Sequence, residues 1–541
     1  MKKYILAMPL AAAALAFTAC EDYLDVPSSN TLTVDSFYGS PAQAEQGLNG
    51  VYHDLIPAAY HMYYLGELPS DNNYDEWDTE RTWDRLAVHD PNIQSLDELS
   101  NAWTDYYKCI AHANTFLAKV PDISGFKSEE IKNQMLGEAY FLRGLSYFEL
   151  VRAFGRIPIF DHEASPAEAL TTGQSEPKEA YDLVVSDFKK AEELLNNAPT
   201  DYRGTSVAGK PTQIAAKAML GRVYLTMATH PDYNGGDEYK QLAKAKLAEV
   251  LSYAGIAENS MGTPTKYWAA TSDEWQSMFI HENDNKYFIF ELQYATDAAK
   301  TLGNTAIFEM QPEVRNGAFY PVRIFGNKIY VAQDLLDAYG HDGTSSYGSD
   351  GDHNKDKRAD WTVCYLTGND LINDQSGAGY SGNPFYTKFL ETTPKRAHFG
   401  LSALSLVYDD YYKDEINFPV MRLEDVMLMY CEIAGYSNYT LHLLNLIRGR
   451  HTTEYTAAEA QGNWANLVQL ERRLEFAQEG LRWHDMVRLG QTQAKKEMLQ
   501  KYYTTNYATM AISVYSNNYR FAIPQDQINV KEGLYTQNPE Y

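Results

Sequence analysis

Residues 137–155 read GEAYFLRGLSYFELVRAFG. Phe141, Leu145, Phe148 and Val151 recur at helical spacing, and Tyr140 and Leu142 widen that apolar face. A face this broad predicts a helix packed on more than one side. Gly155 and then Pro158 stop it, because neither residue continues a helix without cost. Outward from this stretch the period repeats. Pro177 opens EAYDLVVSDFKKAEELL, with Leu183, Phe188, Ala191 and Leu195 inward, and Pro211-Thr212 precedes IAAKAMLGRVYLTMA. HPDYNGGD breaks that third helix before another around Leu242 to Leu251.

These helices come in pairs. Leu136-Gly137-Glu138-Ala139-Tyr140 and Leu220-Gly221-Arg222-Val223-Tyr224 both fit the L-G-x-x-Y core of the tetratricopeptide pattern, in which the glycine admits the partner helix and the aromatic fills the interface. Neither copy has the upstream tryptophan, and their separation is no multiple of the usual repeat, so the pattern predicts degenerate helical repeats interrupted by loops. From about 255 to 420 the segments shorten and Gly, Asn, Asp and Ser become frequent; only KYFIFELQYA reads as a strand. Helical period returns at MRLEDVMLMYCEIAG and runs through NLVQLERRLEFAQEGLRWHDMVRLG, where Leu470, Leu474, Ala477 and Leu481 share a face. The end, RFAIPQDQINVKEGLYTQNPEY, reads as extended. The expected fold class is mostly α, a tetratricopeptide-like helix-pair scaffold with a loop-rich subdomain containing minor β structure.

The chain has 541 residues and a formal net charge of −26, which argues strongly against nucleic acid or anionic lipid headgroups as partners. Hydrophobic residues at 44% argue for a globular body, and tyrosine is abundant at 42 residues. Tyrosine suits half-wet surfaces and stacking on ligands. Cys20, Cys109, Cys364 and Cys431 are far apart and form neither a disulfide framework nor a CxxC motif; Cys109 and Cys431 read as small core residues.

At the N-terminus Lys2 and Lys3 precede an apolar run from Ile5 to Phe17. The run is shorter than the roughly 20 residues of a spanning helix and has the flanks of a secretory signal. Thr18 and Ala19 lead directly into Cys20, an arrangement that resembles the lipobox of bacterial lipoproteins, with Phe17 where that pattern usually has leucine. The expectation is a lipid-modified Cys20 that anchors the chain to a bilayer without spanning it, each buried CH2 contributing about 0.8 kcal/mol.

Six further segments, in order, resemble the SusD/RagB family of nutrient-binding lipoproteins of Bacteroidetes. FYGSPAQAEQGLNGVY is similar to the family's first helix, and GEAYFLRGLSYFELVRAFGRIPI to its most recognisable N-terminal segment. FIFELQY is similar to the strand that opens its C-terminal half, and DKRADWTV to its D-x-R element. ERRLEFAQEGLRWHDMVRLG carries the diagnostic Glu471, Arg472, Arg473, Glu475, Glu479, Gly480, Arg482, Trp483, Asp485 and Arg488, and IPQDQI with Gln537-Asn538-Pro539 and Tyr541 closes the match. Gln478, His484 and Glu540 depart from the commonest family residues. The resemblance implies four tetratricopeptide-like helix pairs with the loop-rich subdomain packed on them. It implies a protein on the outer face of the outer membrane that binds an oligosaccharide, or another nutrient such as a peptide, as a lid over a TonB-dependent, SusC-like transporter. Glu21-Asp22 match the acidic residues that route such lipoproteins to the surface. The implied division is 1–19 signal peptide, 20–35 tether, 36–255 helical-repeat region, 256–420 loop-rich ligand-binding subdomain, and 421–541 C-terminal helix pair and tail.

The signature charges, Glu475 and Arg482 among them, read as helix-packing and ion-pair residues. Binding residues follow from chemistry instead. A sugar ring needs a flat aromatic platform for its CH face and polar side chains for its hydroxyl rim. ELPSDNNYDEWDTERTWDRL lacks helical or strand period and holds Tyr74, Trp77 and Trp83 among Asn73, Arg81 and several acids; those five named residues are the first candidates. Tyr267, Trp268 and Trp275 in TPTKYWAATSDEWQSMF form the second group, whereas Trp103 and Trp483 read as core. Asp350 to Asp356 has oxygen ligands at alternate positions, but Lys355 and Trp361 stand where a calcium loop needs Gly and Glu, so it reads as a solvated acidic turn. No metal, cofactor or catalytic motif is expected. Competing readings are an oligopeptide or glycoconjugate ligand in the same role, a glycoside hydrolase, which needs two carboxylates about 5 to 9.5 Å apart, and a protein-interaction adapter.

Overall fold

The computed structural model describes residues 37–75, 82–87, 90, 92–280, 286–295, 329–344, 354–365, 383–402, 416–495, 497–498, 519–539 and 541. The architecture is mostly helical. Its main helices are α1 (Pro41–His53), α2 (Ala58–Gly66), α3 (Asp97–Lys119), α4 (Glu129–Phe154), α5 (Pro177–Leu194), α6 (Gln213–Thr229), α7 (Gly236–Tyr253), α8 (Leu423–Ala434), α9 (Asn438–Arg448), α10 (Trp464–Phe476) and α11 (Arg482–Arg488). Among the described residues α1 packs with α3, α4 with α5, α6 with α7 and α8 with α9, and these four pairs stack in that order.

Local chemistry fixes the ends. The Ser40, Ser128 and Thr212 hydroxyls accept from the N–H groups of Gln43, Ile131 and Ala215, capping α1, α4 and α6. Gly155 ends α4 with φ of +72°, a backbone region in which a Cβ is costly. The two L-G-x-x-Y glycines are contact points: a Cβ on Gly137 would lie 2.9 Å from Leu195, and one on Gly221 would lie 2.5 Å from Leu247. Each partner helix therefore approaches closely where the motif places its glycine.

The strands are β1 (Asn73–Asp75), β2 (Phe288–Leu292), β3 (Ile329–Val331), β4 (Val363–Cys364), β5 (Phe385–Tyr386) and β6 (Phe418–Arg422). They form antiparallel pairs β1–β3, β2–β6 and β4–β5. The strand read in KYFIFELQYA is β2, whose residues are all buried. Trp103, Trp483, Cys109 and Cys431 lie in the core.

Two expectations are corrected. The helical period through residues 464–488 is broken into α10 and α11, because Gln478 and Gly480 both adopt left-handed backbone, with φ of 71° and 72°. The turn lets Glu475 and Glu479 both face Arg422. The acidic segment is also not a solvated turn where it is described: Asn354 and Asp356 are buried, Asn354 donates to Asp360 at 3.0 Å, and Asp356 pairs with Arg358 at 2.6 Å. Asp350 to His353 lie outside the described residues, as do Cys20 and the 20–35 tether.

Candidate functional site

The signature helix α10 is the root of the site. Glu475 is fully buried, and its carboxylate meets Arg422 at 3.0 Å, Arg358 at 3.0 Å and Arg450 at 3.4 Å. The Trp275 indole N–H donates to the same carboxylate at 2.6 Å. Burial pushes the Glu475 carboxyl upward, but the three guanidinium groups win and hold it well below the usual range. Arg358 belongs to the D-x-R element, and it reaches Glu471 at 2.7 Å as well. A second cluster lies alongside: Arg472 joins Asp425 at 2.6 Å to Asp485 at 3.0 Å, and Arg222 of α6 meets Asp425 at 2.6 Å. Buried charges survive because each has a partner and hydrogen bonds.

This network grips the candidate loop at its base. Arg482 binds Asp71 in a bidentate fork at 2.7 and 2.8 Å. Arg473 donates to the Asn72 side chain at 2.8 Å, to the Asp71 carbonyl at 2.7 Å and to Asp334 at 2.9 Å. Glu67, just upstream, accepts from the Asn72 amide at 2.7 Å and from the backbone N–H groups of Gln478 and Gly480, both at 3.1 Å. Burial outweighs these donors and pushes the Glu67 carboxyl up to about 7. Lys495 donates to the Asn73 carbonyl at 2.7 Å. The chain then enters β1, paired with β3 in the register Tyr74 to Tyr330. Tyr74 is half-buried, with its ring 5.5 Å from that of Tyr330 and tilted by 41°, so aromatic surface lies at the point where the chain leaves for residues 76–81.

The sequence candidates separate accordingly. Asn73 is 1% exposed and donates to the Glu67 carbonyl at 2.7 Å; it is a loop anchor, corrected from a ligand contact. Trp275 is 0% exposed and bonded to Glu475; it too is corrected, because a buried indole offers a ligand no face. Trp77 and Arg81 lie outside the described residues, and Trp83 lies on a short helix, Thr82–Ala87, where its backbone alone is described. Tyr267 and Trp268 are half-buried near α7 and α9, a different place from Tyr74. Tyr267 stacks on Tyr253 at 6.4 Å, and the Arg450 guanidinium lies 4.2 Å from the Trp268 ring centroid. Sequence reasoning missed Tyr330, whose pairing opposite Tyr74 depends on a strand contact between distant segments.

Among the described residues no group of three or more His, Cys, Asp or Glu is placed to hold a metal ion, and no helix is long and apolar enough to cross a membrane. The perturbed carboxylates Glu67, Glu471 and Glu475 are sealed at 0% exposure.

A family model described as starch-binding and associating with the outer membrane matches residues 22–225, and the SusD family model matches residues 286–541. A SusD-like protein of Formosa agariphila is 24% identical over 497 residues, covering 87% of this chain and 88% of its own length. Among solved structures, a laminarin-binding SusD-like protein superposes with a TM-score of 0.67 at 22% identity, covering 93% of this chain and 100% of its own. The surface glycan-binding protein A of Bacteroides fluxus gives 0.65 at 21%, with the same coverage. Two models that together span most of the sequence, and a helix-pair fold shared with these structures, show that the chain belongs to the SusD/RagB family.

Proposed function

We propose that this protein is a non-catalytic, surface-exposed glycan-binding lipoprotein that hands an oligo- or polysaccharide to a TonB-dependent, SusC-like outer-membrane transporter. One observation carries the site: the segment that leads to Trp77, Arg81 and Trp83 is clamped at Asp71, Asn72 and Asn73 by signature residues Arg473 and Arg482 and by Glu67. A clamped root limits the entropy lost when a loop orders around its ligand. Tyr74, Trp77, Arg81 and Trp83 are the proposed contacts, with Tyr267 and Trp268 as a second area. Relatives whose names record laminarin and surface glycan binding support a sugar over a peptide. Lipid attachment at Cys20 supplies the anchor in this reading. The burial of Glu67, Glu471 and Glu475 in ion pairs and hydrogen bonds supports a binding role over a catalytic one.

The test is calorimetric titration of the signal-free protein against soluble polysaccharides and oligopeptides, with released reducing ends assayed in parallel. Saturable binding of one glycan without cleavage is expected, weakened at least tenfold by Trp77→Ala. Steady release of reducing ends sinks the reading, and binding confined to peptides replaces its ligand class.

A further inference from the structure

Trp103, Tyr107 and Ala111 stand four residues apart on α3 and so share one face of that helix. With Asn114 that face floors a cavity of about 570 Å³, a size ordinary for small-ligand sites, which run from roughly 300 to 1,000 Å³. The 158–170 loop brings Phe160 to the cavity, and the C-terminal tail brings Tyr535. The Tyr107 and Phe160 rings meet edge to face, 6.3 Å apart at 78°, and both are half-buried. They form an aromatic corner with ring surface left to cover. The corner is preformed. The Tyr107 hydroxyl donates to the Pro158 carbonyl at 2.6 Å, and the Asn114 amide and the Tyr147 hydroxyl of α4 both donate to the Phe160 carbonyl at 2.9 Å. The tail is pinned as well, by the Lys531 ammonium on the Leu170 carbonyl at 2.8 Å and the Ser100 hydroxyl on Asp526 at 2.7 Å. Walls fixed in advance lower the ordering cost of binding.

Two polar groups on the lining are left over. Trp103 is 3% exposed and Tyr535 is 9% exposed, with their rings 6.2 Å apart. Neither the Trp103 indole N–H nor the Tyr535 hydroxyl has a hydrogen-bond partner among the described residues, although both side chains line the cavity. Tryptophan and tyrosine buried to this degree usually find one. The charges on the lining are, by contrast, already engaged. Lys108 pairs with Asp105 at 3.0 Å, and His162 lies between Asp161 at 2.8 Å and Glu168 at 3.0 Å. Glu163 accepts from the Thr115 hydroxyl at 3.3 Å and meets Lys119 at 3.6 Å. A charged ligand would have to displace one of these pairs. A neutral ring with a CH face and a rim of hydroxyls needs only an aromatic corner, an indole donor and a phenol that donates or accepts.

We propose that this cavity is a second saccharide site, which takes a short neutral sugar against Tyr107 and Phe160, with the Trp103 N–H and the Tyr535 hydroxyl on its hydroxyl groups. It shares no residue with the 71–83 segment. That one polymer engages both places rests on the proposed function; occupancy of the cavity does not.

The test uses the signal-free chain labelled with fluorotryptophan, in which Trp103→Phe assigns the Trp103 fluorine resonance. Glucose, galactose, mannose, xylose, maltose and cellobiose are titrated singly, with glucuronate as a charged sugar and N-acetyltyrosinamide as an aromatic peptide group. At least one neutral sugar is expected to move the Trp103 resonance saturably, and glucuronate to bind at least tenfold more weakly. Ala111→Phe sets a ring on the exposed floor position and is expected to weaken that binding at least tenfold. Tyr535→Phe removes only the hydroxyl and is expected to weaken it severalfold, with helical circular dichroism unchanged. Trp77→Ala is expected to leave the Trp103 response in place while weakening the polysaccharide titration, so this site and the proposed function fail separately. No response to any neutral sugar overturns the site, as does a response that survives both Ala111→Phe and Tyr535→Phe. A response to N-acetyltyrosinamide alone overturns it in favour of an aromatic peptide side chain. Loss of the response in Trp77→Ala overturns a second site in favour of an extension of the first.

Discussion

Glu475 is a single carboxylate that answers to Arg358, Arg422 and Arg450 at once. Removing its charge while keeping its shape leaves guanidinium charge uncompensated in the core, a loss of about 3–5 kcal/mol. Glu475→Gln is therefore expected to shift the chemical-denaturation midpoint strongly downward, whereas Glu193→Gln, at an exposed pair with Lys190, changes it little, because surface pairs contribute about 0–1 kcal/mol. Glu67 behaves oppositely with pH. Its folded carboxyl sits at about 7 against an ordinary 4.5, so between those values the folded chain holds a proton that the unfolded chain has released. Its contribution therefore falls as pH rises from 4.5 to 7. Glu67→Gln is expected to remove that decline, flattening the stability-versus-pH slope in this window whatever its effect on overall stability; an unchanged slope shows Glu67 already ionised at 4.5. Residue type alone misled at two positions. Asn73 and Trp275 look like ligand groups in a polar stretch, yet Asn73 turns back onto the Glu67 carbonyl six residues upstream, and Trp275 reaches the Glu475 carboxylate, which only the fold brings near.

At the scale of elements, close approach decides more than propensity. Helix α2 crosses the α10–α11 turn so tightly that a Cβ on Gly66 would lie 1.9 Å from the Gly480 carbonyl oxygen, and one on Gly480 would lie 2.6 Å from the Met62 carbonyl oxygen. Both atoms are backbone and cannot step aside. Gly66→Ala is expected to cost at least about 3 kcal/mol in a melting or denaturant series, at or above the top of the usual overpacking range. Gly50 in α1 has nothing within 4 Å, and Gly50→Ala is expected to stabilise by up to about 1 kcal/mol through helix propensity. These two results differ in sign for the same chemical change. The elements themselves were readable where their signal is local: α4, α5 and α6 follow from period, Pro177, Thr212 and the L-G-x-x-Y glycines. The first pair was not readable as a pair, because α1 and α3 are separated by α2 and the candidate loop, which hides the repeat. The α10–α11 break was hidden for another reason. Leu474, Ala477 and Leu481 keep helical spacing although Gln478, a residue that rarely takes positive φ, turns the chain.

Across the whole molecule the two family matches, 22–225 and 286–541, share one apolar core that runs from Val51 to Tyr535. The tail closes it by acting on the far half. The last carbonyls of α4 have no partner within their own helix. The Phe521 N–H donates to the Ala153 carbonyl at 2.8 Å, and the Asn538 amide donates to the Phe154 carbonyl at 3.0 Å and to the Phe521 carbonyl at 2.7 Å. Asn538 is 2% exposed, so no water replaces it directly. Asn538→Ala leaves two buried acceptors short of a donor, at about 1–3 kcal/mol each. Calorimetry of this variant is expected to show the same single transition moved to lower temperature, because α4 belongs to the common core and cannot melt with the tail alone. Two resolved transitions would instead mean that the helix pairs and the C-terminal half fold as separate units joined by the tail. In that case the charge network between Arg222 and Asp425 does not couple them, and Arg222→Ala would move only one of the two.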